Sequence, residues 1–176
     1  MFTIPNILTL SRIVLLPILI WMIYAGYSWL ALALYIFCAI TDFLDGWLAR
    51  KMNSVTAFGT FLDPISDKIF VALLLLALVD TGPLSGIWVI PVGIILIREF
   101  LISGLREFLG PKNIKVPVTK LAKWKTTVQM LCLGFLIASP ALPQALLAGQ
   151  LLTLLAAILT AITGWSYLKA GWPHIR

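Results

Sequence analysis

TDFLDGWLARKMNSVTAFGTFLDPISDKIF, residues 41–70, holds four of the seven acidic residues of the chain, and long apolar runs flank it on both sides. Asp42 and Asp45 stand three apart, so on a helix of about 3.6 residues per turn they project from one face, beside Gly46 and Ala49. Asp63 and Asp67 stand four apart and share a face in the same way. The connection from Arg50 to Gly59 is short, which predicts two antiparallel neighbouring helices whose four carboxylates converge at one depth. Four bare anions cannot share a low-dielectric cleft, because each raises the cost of ionising the next. Divalent cations resolve the conflict. An all-oxygen ligand set suits Mg²⁺ or Mn²⁺, and two ions together can clamp a pyrophosphate. Asp42, Asp45, Asp63 and Asp67 are therefore the candidate metal ligands. Each has a plainer alternative or lacks one: Asp63, before Pro64, suits a helix cap, Asp67 suits an ion pair, and Asp42 and Asp45 have no such explanation. Gly46 and Ala49 also suit ordinary helix packing.

Outward from this stretch, the 176-residue chain is 61% hydrophobic, well above a soluble domain. A span needs roughly 20 mostly apolar residues, and that ruler predicts six, at about 7–25, 28–50, 58–79, 86–109, 119–139 and 146–168. The breaks at Tyr24–Ser28, Asp80–Ser85 and Ser139–Pro143 carry turn residues and no Lys or Arg. All thirteen basic residues fall in the other connections, the tail, or the adjoining halves of spans. The apolar runs predict an all-α membrane protein with one membrane domain over 1–176, and the charge asymmetry places both termini in the cytoplasm. The first run reads as a span rather than a cleavable signal. Cys38 and Cys132 read as small buried hydrophobes, and His174 as a solvated tail residue. The basic residues suit anionic lipid headgroups as partners, and no nucleic-acid partner is expected. Arg98, about 18 Å into its span, is too deep for that role alone and predicts a polar cavity.

The spacing Asp42-x2-Asp45-Gly46-x2-Ala49-Arg50-x8-Gly59-x3-Asp63-x3-Asp67 resembles, at every fixed position, the signature of the CDP-alcohol phosphotransferase family. The resemblance implies six helices around a cytoplasm-facing cavity, usually in a homodimer, in a bacterial-type inner membrane. It implies that Asp42, Asp45 and Asp63 hold the metals, that Asp67 contacts one ion, and that Asp67 is the general base. Gly46, Ala49, Arg50 and Gly59 would border the CDP group with Asp42 and Asp45. The flanking segments Ile4–Arg12, Arg98–Phe100, Leu105–Glu107 and Lys123–Gln129 look like the branch that hands a phosphatidyl group from CDP-diacylglycerol to glycerol 3-phosphate. On that resemblance Asn6 and Thr9 join the CDP site. Arg98, Arg106, Lys123 and Lys125 have the charge and side to bind the phosphate of the acceptor, with arginine favoured for bidentate contact.

Rival readings differ in what they require. Inositol phosphate, serine or phosphatidylglycerol could be the acceptor within the same chemistry. A neutral or zwitterionic alcohol would not need so many cations, and only the flanking-segment resemblance separates inositol phosphate. Asp-rich prenyltransferases carry two separated acidic clusters, whereas this chain has one contiguous pair of helices. A divalent-cation transporter would need access from both faces, and the external half holds only Asp80 among charged residues.

Overall fold

A computed structural model describes residues 4–51, 57–110 and 120–172; the side chains of 4–7, 43, 45–51, 57–58, 60 and 120 are outside that description. The described residues form six α-helices and no strand: α1 Ile4–Tyr24, α2 Ser28–Lys51, α3 Ala57–Asp80, α4 Val89–Leu109, α5 Lys120–Ala138 and α6 Pro143–Gly171, with a 3-10 turn at Gly86–Trp88. The helices fall where the six apolar runs do. α6 begins earlier than the expected 146 because Pro143 occupies its first turn, where a fixed φ and a missing N–H cost nothing. α1 ends at a turn that needs Gly26. Its φ of 77° lets Tyr27 N–H reach Met22 C=O at 3.0 Å and Gly26 N–H reach Ile23 C=O at 3.2 Å, which satisfies the last carbonyls of the helix.

α1 packs against both α2 and α3, α5 against α6 and α2, and α6 against α4. The expectation that α2 and α3 would be immediate neighbours is corrected here. Among the described residues they are not a principal packing pair, and α1 is the shared neighbour of both. A short connection permits adjacency but does not compel it, and two acidic faces gain from a helix bearing countercharge between them. Deeper in the bundle α2 and α3 do meet, through the stacked rings of Tyr35 and Phe70, whose centroids lie 6.0 Å apart.

The main core draws on all six helices, with Leu16, Leu19, Tyr35, Leu74, Ile95, Leu133 and Ala156 almost fully buried. α6 buries a face of small residues: Ala145, Gly149, Thr153, Ala156, Thr160, Gly164 and Gly171. A Cβ at Gly149 would stand 2.7 Å from the Leu136 side chain, so the small residue sets how closely α5 and α6 approach. The outward face is the apolar one. Trp21, Phe37, Leu76, Ile97, Leu131 and Leu147, one from each helix, are all at least half exposed. Exterior apolar surface on this scale is disfavoured in water. Gly86–Leu109 and Pro143–Gly171 are long and apolar enough to cross a membrane, and Leu8–Tyr24 and Ser28–Asp42 are shorter apolar helices.

Candidate active site

Two sets of charged side chains gather at one end of the bundle, and α3 belongs to both. The first is acidic and is organised by α1. Arg12 is buried, at 4% exposure, yet its guanidinium reaches Asp42 of α2 at 2.5 Å and Asp67 of α3 at 2.6 Å. One turn earlier on α1, buried Thr9 donates its hydroxyl to Asp63 Oδ1 at 2.8 Å. Charge-assisted bonds of this length are the strong kind, and they hold carboxylates from two helices around one cation. The acids themselves stay accessible, Asp42 at 40% and Asp67 at 54%. Asp63 lies six residues beyond the first residue of α3, so the capping explanation for it is removed.

The second set lines a cavity of about 280 Å³ between α3, α4 and α5. Its wall includes Asp67 and Lys68 from α3, Arg98, Glu99 and Arg106 from α4, and Lys125 and Gln129 from α5. Glu99 accepts from Arg98 at 3.2 Å and also from Lys125, so one carboxylate holds two cations in place. Lys68 donates to Ser103 Oγ at 2.5 Å, tying α3 to α4 beside Asp67. The cavity therefore puts one acid of the first set within a wall otherwise rich in cations. That is the arrangement a phosphorylated alcohol requires: cations for its phosphate and a carboxylate for its hydroxyl.

The predicted site residues distribute unevenly. Asp42, Asp63, Asp67 and Thr9 are brought together around α1; Arg98, Arg106 and Lys125 are brought to the cavity with Asp67. Lys123 is exposed and absent from that wall, because two residues on a helix are about 200° apart and Lys125 takes the inward position. Gly59 is buried near the start of α3. The side chains of Asn6, Asp45, Gly46, Ala49 and Arg50 lie outside the described residues. Lys68, absent from the sequence candidates, shares the cavity wall with Asp67 although consecutive residues diverge by about 100° on a helix. A wide cavity accommodates both.

The donor set fits a hard divalent ion, being all oxygen, accessible, and already gathered about a positive charge. Among the described residues, no three His, Cys, Asp or Glu side chains converge as a ready-made metal cage. Arg12 supplies the countercharge instead, and Asp45 stands one turn beyond Asp42 on α2.

An acid cluster joined to a cation-lined cavity defines a class of phosphotransfer site, and the chain belongs to the CDP-alcohol phosphatidyltransferase family, whose profile matches residues 2–165. More particularly, it is similar to proteins named CDP-diacylglycerol–glycerol-3-phosphate 3-phosphatidyltransferase. The one from Rickettsia typhi is 42% identical over 97% of both chains. That of Pseudomonas fluorescens is 39% identical over 98% of this chain and 92% of its own. That of Salmonella choleraesuis is 39% identical over 97% and 95%.

Proposed function

We propose that the chain transfers the phosphatidyl group of CDP-diacylglycerol to glycerol 3-phosphate, giving phosphatidylglycerophosphate and CMP. The observation that carries this reading is the cavity in which Asp67 shares a wall with Arg98, Arg106 and Lys125. The names of the full-length relatives support the same substrates.

In the proposed reaction, the phosphate of glycerol 3-phosphate sits against Arg98, Arg106 and Lys125, with Glu99 fixing the directions of two of those cations. Its hydroxyl faces Asp67, which takes the proton. The hydroxyl oxygen bonds to the phosphorus carrying diacylglycerol, the anhydride bond to CMP breaks, and CMP leaves with that electron pair. Asn6, Thr9, Gly46, Ala49, Arg50 and Gly59 border the CDP group. Asp42, Asp45, Asp63 and Asp67 would hold two Mg²⁺ or Mn²⁺ ions, which would supply positive charge to the pyrophosphate. Positioning and electrostatics provide most of the rate in such transfers.

The same reading places six spans in a bacterial-type inner membrane, with both termini and the cavity on the cytoplasmic side, in a homodimer. The outward apolar residues on every helix support the membrane part. Lipid then solvates the exterior, and CDP-diacylglycerol enters sideways from the inner leaflet. The test is CMP release from labelled CDP-diacylglycerol by purified protein in Mg²⁺, with a panel of alcohols. Release with glycerol 3-phosphate is expected. Release with serine or inositol phosphate, and none with glycerol 3-phosphate, would reject the acceptor assignment.

A further inference from the structure

Behind the cavity, on α6, one aromatic ring engages two of its arginines. We infer that Tyr167 is a positioning residue that seats Arg98 and Arg106 as a single phosphate clamp, an assignment resting on the acceptor reading above. Tyr167 is 2% exposed and packs with Ile102, Leu105 and Leu109 in a small core cluster of its own at the charged end. The guanidinium carbons of Arg98 and Arg106 lie 5.5 Å and 5.2 Å from its ring centroid. Both distances are within the range in which the ring quadrupole attracts a cation.

The geometry needs such an agent. Arg98 and Arg106 are eight residues apart on α4, about 12 Å of helical rise, and like charges repel. Among the described residues Glu99 pairs with Arg98 and with Lys125, not with Arg106. The shared ring draws both guanidinium groups inward at modest cost. Its hydroxyl is buried without a hydrogen-bond partner among the described residues, so the ring rather than the oxygen makes the engagement. One turn earlier on the same face of α6, Gly164 leaves room for the Arg98 stem: a Cβ there would stand 2.8 Å from Arg98 Cγ. Two positions on α6, at helical spacing, thus fit one arginine of α4. No residue of α6 lines the cavity itself, so the helix acts through the arginines.

The test uses full-length protein in the CMP-release assay, with KM for each substrate and kcat measured separately. Tyr167→Leu removes the ring and keeps an apolar side chain. It is expected to raise KM for glycerol 3-phosphate about tenfold, between what an exposed and a fully desolvated cation–π contact gives. KM for CDP-diacylglycerol should stay within about twofold, because the lost contact serves only one substrate. Tyr167→Phe keeps the ring, drops an unpartnered hydroxyl, and should behave as the parent. Gly164→Ala displaces Arg98 from the other side and should raise the same KM; it carries the test if Tyr167→Leu does not fold. The seat is overturned by an unchanged glycerol 3-phosphate KM in Tyr167→Leu or, failing that protein, in Gly164→Ala. It is overturned equally by a Phe variant as impaired as Leu, or by both KM values rising together. A parent protein that releases no CMP with glycerol 3-phosphate would instead sink the acceptor reading, a separate result.

Discussion

Replacing Arg12 with methionine should weaken the protein chiefly when divalent ions are absent. Among the described residues Arg12 makes two charge-assisted contacts, at 2.5 Å to Asp42 and 2.6 Å to Asp67, from a position only 4% exposed. Hydrogen bonds to charged groups contribute about 1.5–3 kcal/mol each, so the pair has a gross value of about 3–6 kcal/mol. The two carboxylates are 40% and 54% exposed, and solvent screens them once the guanidinium is gone. Discounting by about half for that screening, and for the apolar fit of methionine, leaves a net loss of about 2 kcal/mol. For a chain of this size that corresponds to about 4–8 °C in melting temperature. In Mg²⁺ the loss should shrink, since an ion between the same carboxylates restores the missing countercharge. The assay is thermal unfolding of parent and variant in detergent, in EDTA and in a Mg²⁺ series. Equal losses in EDTA and in Mg²⁺ would refute the reasoning, because Arg12 would then be a packing residue rather than the countercharge of the acid cluster. No loss in EDTA would refute it as well.

Asp67→Asn should keep CDP-diacylglycerol binding, measured by equilibrium binding of labelled lipid, and abolish CMP release; retained turnover would remove Asp67 as the base. Lys125→Ala should raise KM for glycerol 3-phosphate, whereas Lys123→Ala, exposed and off the cavity wall, should leave it unchanged. The opposite order in steady-state kinetics would show that the wrong lysine has been placed in the pocket. Gly149→Ala puts a Cβ 2.7 Å from the Leu136 side chain and should destabilise the bundle by about 1–3 kcal/mol in thermal unfolding. Its KM values should stay as they are, since the contact lies in the α5–α6 interface away from the cavity.

The helices were legible as long apolar runs, and turn residues at Tyr24–Ser28, Asp80–Ser85 and Ser139–Pro143 mark three of the breaks. The charged end was legible in the uneven spread of Lys and Arg along the sequence. What escaped the sequence was the packing order. α1 is apolar almost throughout, and nothing in its pattern says that it, rather than α3, is the principal neighbour of α2; only Arg12 and Thr9, on one turn, mark its role. α6 escaped for a different reason. In lipid the buried face is distinguished by smallness and not by apolarity, so the run from Ala145 to Gly171 reads as featureless until Gly149 and Gly164 are seen against Leu136 and Arg98. Nothing in the sequence around Tyr167 marks it as a partner of two arginines on another helix. Lys123 and Lys125 show the limit most simply: helical spacing says that they diverge, but not which one turns inward.

The division of labour between the helices bears on how a transfer between two phosphates can be aimed. Asp67 and Lys68 are consecutive on α3, so their side chains diverge by about 100°. Asp67 is bound to Arg12 of α1 and Lys68 to Ser103 of α4, which fastens the two neighbours to opposite sides of the site. α3 is thus the common wall between the acid cluster held by α1 and the cation pocket held by α4, α5 and, through Tyr167, α6. In the proposed reaction the donor pyrophosphate belongs to the first compartment and the acceptor phosphate to the second, and two polyanions must approach each other to react. Separate countercharges on either side of α3 lower that repulsion without letting one anion occupy the place of the other. The proton acceptor has to stand where the compartments meet, and among the described carboxylates Asp67 alone is both paired with Arg12 and exposed on the cavity wall.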